Sequence, residues 1–276
     1  MRFQTITYET RGPIGLLTLN RPERLNAMNA ELLGELNAAM DAFEADEGTR
    51  VLVLTGAGST FSSGFDLKAQ LDDMPGGVAG WRPTLQTDFD TVMRFWRCPK
   101  PTIAAVHGVA LAGGCELAVA SDITIAAEGA LFGEPELRFG AGIVAMILPW
   151  LTGPKQAKEL LLTGNDKISA ERALAIGLIN RITPKGEHVE AALIMARDIA
   201  VMDPVVVAAT KRAINNGFDI KGMKQAMQAA LDADVLIEGE GSALRREFTA
   251  VARKDGLKAA LAWREARFVK ARAGET

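Results

Sequence analysis

The sequence predicts a mixed α/β fold whose last part is all helix, and two patterns along the chain carry that expectation. Through the first two-thirds, short β-rich runs alternate with helical stretches, the order that builds a sheet covered by helices. From about Glu187 onward, Pro and β-branched clusters give way to Ala, Leu, Met, Lys and Arg with helical periodicity. Taken in order, Phe3 to Glu9 and Gly15 to Asn20 read as strands around an Arg11-Gly12-Pro13 turn. Asn29 is an N-cap for a helix running to about Ala45, with Leu32, Leu33, Leu36, Met40 and Phe43 on one face. RVLVLT (50–55), TIAAV (102–106) and DITIA (122–126) read as further strands. Helices are then expected at Glu187 to Val201, Pro204 to Asn215, Lys221 to Ile237, Gly241 to Arg253 and Leu257 to Phe268. Asp203 caps the second of these, with Pro204 at its first helical position. Long apolar stripes in a terminal helical region pack on the parent domain or on a neighbouring subunit, and a mixture of the two implies an oligomer.

With 276 residues, 48% hydrophobic and 24% charged, the chain can bury one large core, or one core with an appendage, so disorder is not its main state. Its longest charge-free stretch without strong turn signals, Ala141 to Leu148, falls far short of the roughly 18 apolar residues that span a bilayer. The N-terminal MRFQTITYETRGPIGLLTLN shows neither a long apolar segment nor an Arg- and Ser-rich amphipathic pattern, so a soluble, cytoplasmic protein is expected. Cys98 and Cys115 are too few for a disulfide framework. His107 and His188 leave few parts for a zinc site or a histidine triad, and general-base work falls to carboxylates. A net charge of −3 with scattered basic residues gives no pull on polyanions, so nucleic acid is not an expected partner.

Three segments carry chemistry-bearing residues. In Pro101 to Ser121, Glu116 is the one residue, His107 aside, that carries charge at neutral pH, inside a run of Ala, Leu, Val and Gly. A carboxylate so placed is hydrogen-bonded, paired or functional. If Gly113-Gly114 opens a helix, its free N–H groups and positive dipole end face a ligand; the alternative is a tight strand-to-helix connection with Glu116 merely favoured by the dipole. The second segment, TGAGSTFSSGFDL (55–67), follows a strand but matches neither the P-loop nor the dinucleotide glycine pattern, and reads either as a surface loop or as a functional one. In the third, LFGEPELRFG (131–140), Pro135 stiffens the approach to Glu136, and extended backbone would point Glu134 the same way; composition alone favours a solvated acidic turn. Cys115 and His107 read as a buried small hydrophobe and a strand histidine rather than a nucleophile and its base.

In this order the segments resemble the enoyl-CoA hydratase/isomerase (crotonase) superfamily. NRPERLNAMN (20–29) resembles the family's N-R-P-x-x-x-N-A-[LM]-[NS] turn and helix start, and FSSGFDL (61–67) its F-x-x-G-x-D-[LI] loop. GVALAGGCELAVASDITIA (108–126) is similar to G-x-A-x-G-G-G-x-E-L-x-x-x-x-D, and FGEPELRFG, LLLTG (160–164), ALAIGLIN (173–180) and DGLKAALAWREARF (255–268) extend the likeness over nearly the whole chain. The resemblance implies a spiral of repeated ββα units over residues 1–200 holding the coenzyme A and catalytic site, and an all-helical trimerisation region over 201–276, with trimers that often pair into hexamers. It implies an oxyanion hole from the backbone N–H groups of Phe65 and Gly113, and catalytic glutamates at Glu116 and Glu136. Phe65, Asp66, Leu67, Lys68 and Gly113 would line the coenzyme A side, with Leu25, Ala27 and Ser63 near the adenine.

The implied reaction is hydration of a trans-2-enoyl-CoA to the 3-hydroxyacyl-CoA, with coenzyme A entering only as part of the substrate and no metal or other cofactor. Water addition develops negative charge on the thioester oxygen, which two preorganised N–H donors stabilise. One carboxylate must deprotonate water while the other protonates the α carbon, so an ionised and a protonated glutamate are needed side by side. Nearness to the helix N-terminus makes Glu116 the base and Glu136 the acid. Two positions depart from the family pattern. Ala112 replaces the first glycine of the run, a mild change since the amide that matters is one residue later, and AGIVAMILPWLTG after Gly140 is about three residues short of the usual Pro-Gly-x-Gly-Gly stretch. The second departure predicts an apolar, cyclic or branched acyl group against Ile143, Met146 and Trp150. The rival readings are a double-bond isomerase working through the same enolate and a non-catalytic acyl-CoA binder.

Overall fold

Residues 2–274 are described by a computed structural model. Strands β1 (Ile6–Arg11) and β2 (Ile14–Leu19) pair antiparallel across the Gly12 turn, and helix α1 (Ala30–Ala45) leads to β3 (Val51–Gly56), parallel to β2. Helices α2 (Leu67–Asp72) and α3 (Gly77–Arg97) lead to β4 (Thr102–Val106), parallel to β3. Strand β5 (Val109–Leu111) and helix α4 (Gly113–Ala120) precede β6 (Ile123–Ala127), parallel to β4. Then follow β7 (Leu131–Gly133), α5 (Leu148–Thr152), α6 (Pro154–Thr163), β8 (Ile168–Ser169), α7 (Ala170–Ala175) and β9 (Arg181–Thr183). The main sheet has the order β1-β2-β3-β4-β6-β9, and a small second sheet the order β5-β7-β8. Helices α8 (His188–Ala200), α9 (Pro204–Ile220), α10 (Met223–Glu240), α11 (Ala243–Asp255) and α12 (Leu257–Arg272) complete the chain.

The central strands are nearly continuous apolar runs because both faces of the main sheet are covered. Ile14, Leu16, Val51, Val53, Ile103 and Ala105 face α8, which packs Ala192, Leu193 and Ala196 against them. The alternate residues, Leu17, Leu52, Leu54, Ala104 and Val106, join the larger core with Leu32, Leu36 and Phe43 of α1 and Phe95 of α3.

The expected helix caps form: Asn29 accepts from the Leu32 amide at 3.0 Å, and Asp203 from Val205 at 2.8 Å. Two differences from expectation have local causes. Helix α9 continues beyond Asn215 to Ile220, because the Asn215 side chain donates to the Trp96 carbonyl at 2.9 Å and tertiary contact overrides the weak propensity of Asn215-Asn216-Gly217. The 21-residue α3 has no counterpart among the sequence expectations, since its glycine-rich start and internal Pro83 mask a buried face of Trp81, Leu85, Phe89, Val92 and Met93. Helix α10 lies along α3 with Met223, Met227, Leu231 and Val235 buried between them. Helices α11 and α12 close on Phe139 through Phe248 and Ala260, and Arg138 ties α12 to the body by ion pairs to Glu265 and Asp166 at 2.6 and 2.9 Å. Among the described residues, no helix is long and apolar enough to cross a membrane.

Candidate active site

The segments 20–29 and 61–67 are locked to each other by main-chain and amide bonds. Asn26 is fully buried; its side-chain oxygen accepts from the Arg21 amide at 2.9 Å, and its nitrogen donates to the carbonyls of Ala57 and Thr60 at 2.9 and 2.8 Å. The Met28 amide donates to Gly64, the Asp66 amide to Met28, and the Ser63 amide to Leu25, all within 3.0 Å. Asp66 caps α2 by accepting from Lys68 and Ala69, and pairs with Arg21 at 3.0 Å. Thr60, Phe61 and Ser62 are buried, so this stretch is not a mobile surface loop.

Gly113-Gly114 opens α4, as one reading of the sequence had it. Ala112 precedes it at φ 54° and ψ −134°, backbone that favours glycine, so the alanine is not the mild change expected: it stores strain of order 1–3 kcal/mol at the helix entrance. Gly64 sits against this turn, where a β carbon on it would lie 2.7 Å from the Ala112 side chain and 3.2 Å from the Gly113 nitrogen. Among the described residues, neither the Phe65 nor the Gly113 amide donates to a protein acceptor. Glu116, on the first turn of α4, is 0% exposed; its Oε1 accepts from the Ala145 amide at 2.8 Å, and its Oε2 has no partner among the described residues.

Pro135 and Glu136 enter a single helical turn instead of extended backbone, and the acidic pair is buried instead of solvated. Glu134 is fully buried beside Cys115 and Glu136, with neither carboxyl oxygen hydrogen-bonded among the described residues. Burial, then repulsion from Glu136, pushes the Glu116 carboxyl well above the usual carboxylate range. Glu136 is pushed up to about 8 by burial, with the Asp234 charge adding to the effect. Burial likewise raises the Cys115 thiol, which therefore offers no thiolate nucleophile at neutral pH.

A cavity of about 570 Å³ joins these parts, a size suited to a small-molecule site. Of the residues singled out from the sequence, Leu25, Ala27, Ser63, Phe65, Asp66, Leu67, Lys68 and Glu136 line it. Glu116 and Gly113 are not among the lining residues but adjoin them, Glu116 through the Ala145 amide beside Val144 and Gly113 through Ala112. Ile143, Met146 and Trp150 are not in the lining either. They pack into the main core, and Ala141, Gly142 and Val144 face the cavity in their place, which removes the expected apolar acyl contact. Sequence reasoning missed Trp81 and Leu85 of α3, Asp234 and Glu238 of α10, Arg245 of α11, and Leu257, Leu261 and Arg264 of α12.

Asp234 and Asp88 face each other from α10 and α3, near Glu238 and its ion-pair partner Arg245, and burial pushes each of the two aspartates up to about 7 from 3.8. A carboxyl whose folded pKa is raised stabilises the fold fully below its unfolded pKa, and that contribution is lost as pH rises through the folded value. The Tm of the ligand-free protein is therefore expected to fall as pH is raised from about 4 to about 7 and to level off above that, and Asp234→Asn to flatten the slope in thermal scans. A Tm that climbs over this range in the unmodified protein would contradict the buried pair.

Comparisons with known proteins show the family and the fold. The profile of the Enoyl-CoA hydratase/isomerase family matches residues 9–246. A protein of Rhizobium meliloti named probable enoyl-CoA hydratase is 38% identical over 232 residues, 80% of this chain and 84% of its own. The short-chain-enoyl-CoA hydratase of Clostridium acetobutylicum is 34% identical over 251 residues, 87% of this chain and 88% of its own. The crystal structure of an enoyl-CoA hydratase/isomerase from Xanthobacter autotrophicus Py2 superposes with a TM-score of 0.95 at 57% identity, covering 96% of this chain and 99% of that one. With that family's two mixed sheets and C-terminal helical region in place, the chain belongs to the enoyl-CoA hydratase/isomerase (crotonase) superfamily.

Proposed function

We propose that this enzyme hydrates a trans-2-enoyl-CoA thioester to the 3-hydroxyacyl-CoA. The observation that carries the reading is the pair of unengaged amides on Phe65 and Gly113, held together at Gly64, beside two buried carboxyls that repel one another. The thioester oxygen accepts from both amides and gathers the charge that develops as water adds to the β carbon. In the state of the pair that leaves Glu116 ionised and Glu136 protonated, Glu116, held by the Ala145 amide, takes the proton from water as the water oxygen bonds to the β carbon. Glu136, protonated near neutral pH, delivers its proton to the α carbon, and the carbonyl re-forms as the enolate electrons return. The two glutamates end with their protons exchanged, so a proton passing between them resets the site.

Leu25, Ala27 and Ser63 flank the adenine in this reading, and Leu67 and Lys68 the rest of the coenzyme. Asp66 is already engaged by Arg21 and its own helix cap, so it shapes the loop more than it meets the ligand. The region 201–276, of which 275 and 276 lie outside the described residues, forms the trimer contact, a role supported by the exposed Val205, Val206, Ile220 and Ile237.

The test is a panel of trans-2-enoyl-CoA thioesters followed by loss of the conjugated-thioester absorbance, with products identified by mass. Hydration predicts a product heavier by one water. A product of unchanged mass with a displaced double bond makes the enzyme an isomerase, and tight binding without turnover makes the chain an acyl-CoA binder.

A further inference from the structure

Hydration as derived above makes no use of Asp234. This residue lines the cavity from α10 at 2% exposure, and among the described residues neither of its carboxyl oxygens has a hydrogen-bond partner. A buried acceptor without a donor is costly to the fold unless something else supplies the donor. The neighbouring groups do not supply it. Asp88, facing it from α3, is a second acid, and Arg245, an ion-pair partner of Glu238 at 3.1 Å, makes no hydrogen bond to Asp234. The Gly142 amide lies near without ordinary hydrogen-bond geometry, and a side chain at Gly142 would collide with the Asp234 carboxyl.

The position of Asp234 relates it to the reacting carbons. Ala145, whose amide holds Glu116, and Gly142, which abuts Asp234, are three residues apart on one segment, a reach of at most about 10 Å. Both Glu116 and Glu136 feel the Asp234 charge. The carboxyl therefore lines the same cavity as Glu136 and is tied to Glu116 through one short backbone segment.

We propose that Asp234 is the recognition point of a polar subsite that takes acyl groups carrying a hydroxyl beyond the reacting double bond. The proposal rests on the acyl-CoA reading and names the class of acyl group. A hydroxyl donates to the unpaired carboxyl, whereas an alkyl end leaves it dry and unpaired. Above about pH 7, where Asp234 is ionised, a carboxylate end is repelled by it.

Calorimetric binding of saturated acyl-CoA thioesters tests this without requiring turnover. Three acyl groups of matched length, ending in methyl, hydroxyl or carboxylate, are compared with free coenzyme A as reference. The hydroxyl compound is expected to bind about tenfold or more tightly than the methyl compound, and the carboxylate compound more weakly than either. Asp234→Leu should abolish the hydroxyl preference and tighten the methyl compound; Asp234→Asn, which keeps an acceptor without charge, should keep the preference and lift the penalty on the carboxylate. Equal affinity of the unmodified enzyme for methyl and hydroxyl ends, or an unchanged preference in Asp234→Leu, overturns the subsite alone. Failure of every thioester to bind better than free coenzyme A overturns the acyl-CoA reading and the subsite with it.

Discussion

Glu136→Gln is expected to lower kcat for hydration by about a thousandfold while leaving the fold intact, and Glu116→Gln to do the same. General acid and general base steps contribute about 10² to 10⁴ each, and in water addition the two are required in one turnover. The double variant should be little worse than either single one, because groups that act as a unit lose their effect together. Glutamine is nearly isosteric with a protonated glutamate, and the sites are buried at 0% and 7% exposure, so the substitutions remove repulsion without opening a void. Tm is expected to hold or to rise at neutral pH. Retention of most activity by one of the two singles would instead point to a one-carboxylate proton shuttle, the chemistry of an isomerase. Measuring kcat, KM and Tm for all three variants with one enoyl-CoA separates these outcomes.

How much of this was readable in the chain depends on whether the signal is local. Asn29 and Asp203 act within one turn of their own helices, so capping chemistry located both. The loop residues 61–67 and the Gly113-Gly114 turn were legible as motifs, because their backbone shape is one that few residue types permit. Glu134 and Glu136 were not legible as buried groups, since nothing near Pro135 in the sequence reveals that Cys115 and α4 cover them. The acyl end of the cavity was misread for a related reason. Alternation along residues 141–146 is irregular, so side-chain type placed Ile143 and Met146 in the site where the fold points Gly142 and Val144. Asp234 did leave a trace: it interrupts the stripe Met223, Met227, Leu231, Val235, and an acid on the buried face of a helix signals either a partner or a ligand. That trace becomes specific only once α3 brings Asp88 and the cavity to it.

The proposed oxyanion donors offer the second large effect, and Gly64 is the position through which to perturb them. Main-chain amides cannot be deleted by substitution, yet the spacing between the Phe65 and Gly113 amides depends on the absence of a side chain at Gly64. A β carbon there would meet the Leu111 carbonyl at 2.8 Å and the Gly113 nitrogen at 3.2 Å, and the φ of +94° strains any L residue. Backbone atoms cannot rotate away as a side-chain tip can, so Gly64→Ala must push the Phe65 loop off the α4 entrance. Loss of one aligned donor lowers kcat by about 10² to 10³, and that is the expected fall, with a smaller change in KM because ground-state contacts along the cavity remain. The Phe65 ring packs over Gly113, but in the proposed mechanism only the residue's amide serves the thioester oxygen. Phe65→Leu should therefore keep kcat within about tenfold, although it removes more side-chain volume than Gly64→Ala adds. If Phe65→Leu proves as damaging as Gly64→Ala, the ring and not the amide is what the reaction needs, and the two-donor account of this site fails.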